Sequence, residues 1–121
     1  MNIIQTWKTI DELLLLKNDD QALVFILSTL TDNLSNIEDC NEFINYSMDK
    51  NMNADVIVHI LFTIVPIKEK LSNWNTFLSH CEKLLLSLVG EDETKILLKS
   101  LDIKMSDEDI KLMNILMKTN L

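Results

Sequence analysis

His59 follows Asp55 by four residues, one turn of a helix, a spacing that orients an imidazole for proton transfer or sets two metal ligands on one face. A protein metal site needs a third ligand, and none accompanies the pair, so His59 reads as a core or boundary residue bonded to Asp55. His80 adjoins Cys81, which suggests a thiol and its base, but successive helical residues diverge by about 100° and do not meet. Cys81 also falls in a stripe of leucines, where a thiol packs and does not react. A phosphate-binding loop needs closely spaced glycines, and this chain has Gly90 alone. Carboxylates are plentiful, with none singled out as a general acid. The expectation is therefore no catalytic residue, no metal and no cofactor, with an enzyme built on Asp55 and His59 as a third alternative.

The chemistry that does stand out is acidity. Nineteen acids face eleven lysines, there is no arginine, and the net charge is −8. Residues 11 to 55 hold ten of the acids against Lys17 and Lys50, and no basic residue lies between Asn18 and Asp49. With no arginine and its lysines outnumbered, such a chain is poorly equipped to neutralise phosphates, which strongly disfavours nucleic acid as a partner, and its acidic helices argue against anionic membrane surfaces. In the stretch IEDCNEFINYSMDK (37 to 50), Glu38, Glu42, Asn45 and Asp49 fall within about 60° on a helical wheel, opposite Cys40, Phe43, Ile44 and Ser47. Like charges one turn apart cost a helix a few tenths of a kcal/mol each, so the stripe opposes local stability unless a cation binds it. Asp39 lies beside it and Tyr46 at its rim. Glu38, Asp39, Glu42, Asn45, Tyr46 and Asp49 form the candidate partner-binding site, where charge speeds encounter and a ring anchors it. The alternative reading of the same residues is a solvated face that keeps the protein soluble.

The elements that carry these residues are helices. The 121 residues, 47% of them apolar, suit one domain over 1–121, and a single glycine and a single proline leave little for hairpins and bulges. The longest apolar run, ADVIVHILFTIVPIKEK (54 to 69), is too short for a bilayer span of about 20 residues. Asn53 and Asp55 cap it, and Pro66 ends it near Val65, which predicts a central helix apolar on every side. Ile4, Trp7, Ile10, Leu13 and Leu14 predict a first helix to Lys17. Asp19 is expected to cap a second, QALVFILSTLTDNL, with almost no polar face and a central position. The third follows Ser35 and Asn36. A fifth carries Trp74, Phe77, Leu78, Cys81, Leu84, Leu85 and Leu88 within about 120°, up to a left-handed cap at Gly90. A sixth follows Glu91, Asp92 and Glu93, and a seventh starts near Ser106. The fold class is all-α: a single bundle of about seven short helices, or stacked helical hairpins, around two apolar central ones. Cys40 and Cys81, at helical spacing among apolar residues, read as free buried thiols. With no signal-peptide pattern at the start, they predict a cytoplasmic setting.

Size, acidity, helicity and scarcity of cysteine together resemble the bacterial immunity proteins, including those of contact-dependent growth inhibition systems and of DNase colicins. That resemblance implies an antitoxin that covers the basic substrate cleft of a toxin nuclease, and it brings no site residues with it. The leading expectation is an inhibitor that binds one basic protein partner through the acidic surface, with mimicry of nucleic-acid charge in a defence complex as a variant. The alternative, from a different class, is a scaffold domain that self-associates through methionines and leucines of the last helix.

Overall fold

Six α-helices fill residues 1–102, the part of the chain that the computed structural model describes, and no strand occurs among them. They are α1 (Ile3–Leu15), α2 (Asp19–Asp32), α3 (Ile37–Ser47), α4 (Ala54–Ile64), α5 (Trp74–Val89) and α6 (Glu91–Asp102). The all-α class is thus the observed one. The expected helix from Ser106 lies outside the described residues. None of the described helices is long and apolar enough to cross a membrane.

Asparagine begins several helices because its side-chain oxygen satisfies an amide that the helix itself leaves unpaired. Asn2 accepts from the Gln5 amide at 3.0 Å, Asn36 from Asp39 at 3.2 Å and Asn53 from Val56 at 2.9 Å. Asn18, not Asp19, holds the cap position of α2, and it makes no side-chain cap bond. α1 closes two residues earlier than its pattern predicts. Lys17 turns left-handed with φ 57°, its amide donates to the Leu14 carbonyl, and the Asn18 amide donates to that of Leu13. This is the paired closure usually given to glycine. Gly90 has φ 88° and ψ 175°, a left-handed and extended conformation open essentially to glycine alone. Its carbonyl then accepts from the Thr94 amide and hydroxyl, which starts α6. Pro66 does end α4, yet the chain continues without a break into a 3-10 helix over Val65–Lys70, where a missing N–H costs nothing at the first positions.

Neighbours run in the order α3, α1, α2, α4, α5, α6, with α6 also touching α4. α4 is central, burying Val56, Ile57, Ile60, Leu61 and Ile64, but Asp55 and Phe62 reach solvent on its far side. α2 departs further from expectation. It buries Ala22, Ile26 and Leu30 against α1 and α4 and leaves Val24 62% exposed, because residues at three- and four-residue spacing cover one face only. On α1 the buried stripe is Ile3, Thr6, Trp7 and Ile10, and Ile4 is 68% exposed. Of adjacent isoleucines, 100° apart, only one can face the core. Leu88 likewise points out from α5.

Candidate functional site

α3 lies at one edge of the bundle, packed mainly on α1. Cys40, Phe43, Ile44 and Ser47 are fully buried, the face that the wheel sets opposite the acids. Two contacts lock its rotation. The Trp7 and Phe43 rings lie 5.0 Å apart, and Trp7 Nε1 donates to the Phe43 carbonyl at 3.3 Å. A buried aromatic pair with its polar atom satisfied holds one orientation, so the opposite face of α3 is held towards water.

Glu38, Glu42 and Asn45 are exposed there. Asp49, which the helical wheel set in the same stripe, is exposed in the turn that follows, because α3 closes at Ser47 and the Asp49 and Lys50 amides donate to the Tyr46 and Ser47 carbonyls. Among the described residues no ion pair engages Glu38, Glu42 or Asp49. Asp39 is different. Its Oδ2 accepts from the Met1 amine at 2.9 Å and from the Asn36 amide at 3.0 Å, and its side chain is only 17% exposed. Asp39 therefore serves the junction of α3 with the start of the chain, and its charge is compensated. Asn45 accepts through Oδ1 from the side-chain amide of Asn73, which ties the stripe to the entry of α5.

Tyr46 is half-buried against the core, and a cation covers its outer face: Lys50 Nζ sits 5.1 Å from the ring centroid. The same ammonium donates to Asp11 Oδ2 on α1 at 2.7 Å. The Asp11 hydrogen bond is the chief cause of a Lys50 pKa above the ordinary lysine value, and the nearby Tyr46 and Asp49 add to it. Sequence reasoning missed this arrangement because Asp11 and Lys50 are 39 residues apart. One signal was present: Ile4, Lys8, Asp11 and Leu15 recur at helical spacing on α1, outside the buried stripe.

The other chemistry-bearing residues are placed elsewhere. His59 Nδ1 donates to the backbone carbonyl of Asp55 at 2.7 Å, so the Asp55 carboxylate is not its partner. No three His, Cys, Asp or Glu side chains converge as metal ligands among the described residues. Cys40 and Cys81 are free and fully buried. Burial pushes the Cys81 thiol up to about 12, far from a thiolate at neutral pH. Burial, with the Asp39 charge adding to it, also raises Cys40, whose Sγ donates to the Asn33 carbonyl at 3.2 Å. Among known proteins, no family model, curated protein or solved structure matches this chain.

Proposed function

We propose that the protein is a non-catalytic inhibitor, of the immunity-protein or antitoxin kind, that binds a basic protein partner through the outer face of α3. The observation that carries this reading is the pair of exposed carboxylates Glu38 and Glu42, with no ion pair to either among the described residues, set near Tyr46 on a helix whose rotation is fixed. Exposed Asp49 follows in the turn after that helix. Unpaired like charges in a row give up stability in the free protein and recover it when cations arrive. A charged rim speeds encounter, and an aromatic at its edge supplies the anchor. A toxin nuclease fits as the partner because its substrate cleft must be basic to hold phosphates. The inhibitor then acts by covering that cleft, with no chemistry of its own.

The test is a pull-down from native lysate with tagged wild type and the Glu38→Lys, Glu42→Lys, Asp49→Lys variant side by side. The expected result is a basic protein retained by the wild type alone. Equal retention by the triple variant, with its helicity intact, overturns the assignment of the site.

A further inference from the structure

α1 and α3 leave a trough between them that is lined by exposed apolar side chains and by charged ones, Lys8 and Asp11 standing between Ile4 and Leu15 on α1. Ile4 and Leu15, 68% and 84% exposed, stand on one side of it and Tyr46 on the other. Two shallow cavities meet at Ile4 and Tyr46, one of about 450 Å³ running to Asp11, Leu15 and Lys50, the other of about 390 Å³ running to Glu42 and Asp49. From Ile4 to Leu15 the trough is roughly 16 Å long, the rise of about three helical turns. Four acids, Asp11, Glu12, Glu42 and Asp49, line it against two lysines, Lys8 and Lys50, the second already paired with Asp11.

Apolar side chains over this length, with acids in excess of lysines around them, complement an amphipathic helix with basic flanks. A second copy of the chain would bring a net charge of −8 against these same acids. Lys50 already displays the recognition chemistry: its ammonium lies between the Asp11 carboxylate, at 2.7 Å, and the Tyr46 ring, at 5.1 Å. We propose that the trough takes a basic amphipathic helix of the partner, its apolar side chains on Ile4, Leu15 and Tyr46, with one of its cations replacing Lys50 between Asp11 and Tyr46. This rests on the reading of α3 as a partner-binding face and names the element that the face receives.

The probe is a synthetic amphipathic helix of leucine and lysine, about 14 residues long, with a leucine and glutamate version as control. Isotope-labelled full-length protein is titrated by NMR, and dissociation constants are read by fluorescence anisotropy of the labelled peptide. The lysine peptide is expected to shift the amides of Ile4, Leu15, Tyr46 and Lys50. Ile4→Gln with Leu15→Gln is expected to raise Kd roughly tenfold, since buried anchors dominate binding. Lys50→Gln is expected to lower Kd by roughly threefold, and Lys68→Gln, which removes the same charge from the 3-10 helix, to leave it within about twofold. Shifts confined to the exposed face of α2 around Val24, or equal effects of the two lysine changes, overturn the proposal. If the α3 charge-reversed variant loses the peptide while the Ile4 and Leu15 variant keeps it, charge alone is at work, and the trough fails while the acidic face stands. Loss in the Ile4 and Leu15 variant with full binding by the charge-reversed one keeps the apolar contact on α1 but overturns both the acidic face and the part of the lining that Glu42 and Asp49 supply.

Discussion

Glu42→Lys is expected to make the free protein more stable and, at the same time, a weaker binder. Glu38 and Glu42 are exposed, one turn apart on α3, with no ion pair to either among the described residues. A like-charge pair at this spacing costs about 0.2–0.5 kcal/mol, and an acid followed four residues later by a lysine gains a similar amount. The swing is therefore about 0.7 kcal/mol, and position 42 lies mid-helix, where the helix dipole contributes little. For a chain of this size that corresponds to a rise in Tm of about 2–4 °C. Urea and thermal unfolding followed by circular dichroism at low salt read it directly. Because both residues are exposed, the gain should nearly vanish near 1 M salt, where the screening length is about 3 Å. A variant no more stable than wild type at low salt, or a gain that persists at high salt, would refute the claim that the stripe is held under electrostatic strain.

Two further outcomes follow from buried and turned positions. The thiol's ordinary pKa of 9.0 is lifted in Cys81 to about 12 by burial, so between these values the unfolded chain releases a proton that the folded chain keeps. That contribution is whole below about pH 9 and is lost as pH rises towards 12, at up to about 1.4 kcal/mol per pH unit. Between about pH 8 and pH 10.5 the wild type should lose about 2 kcal/mol more than Cys81→Ala, measured by urea unfolding, and parallel losses would contradict the buried thiol. At Lys17, whose φ of 57° strains any residue with a Cβ, Lys17→Gly should gain about 0.5–1 kcal/mol in thermal unfolding, and a loss would mean that the turn is not strained.

The helices were legible because their ends are written in local chemistry. Asn36, Asn53, Gly90 and Pro66 each mark a boundary within a residue or two of where it falls. The acidic face of α3 was legible for the same reason: a wheel decides which side Phe43 and Ile44 must bury, and the acids take the other. What periodicity could not decide was a choice between equals. Ile3 and Ile4 are both fit for the core, and α2 has apolar residues to spare, so tertiary packing selects which to hide. The pairing of Lys50 with Asp11, and of Asp39 with the Met1 amine, joins residues almost 40 positions apart. No local rule reaches that far, and these two contacts change the electrostatics of the candidate site: one compensates Asp39, the other sets a cation on Tyr46.

The most direct measurement is an equilibrium titration of the basic protein that wild type retains, against wild type and the Glu38, Glu42, Asp49 charge-reversed variant, at low and at high ionic strength. If α3 is the binding face, the wild type binds with an affinity that falls steeply with salt, and the variant, equally helical, binds at least about a hundredfold more weakly. The same affinity for both proteins, unchanged by salt, would place the binding surface elsewhere on the molecule.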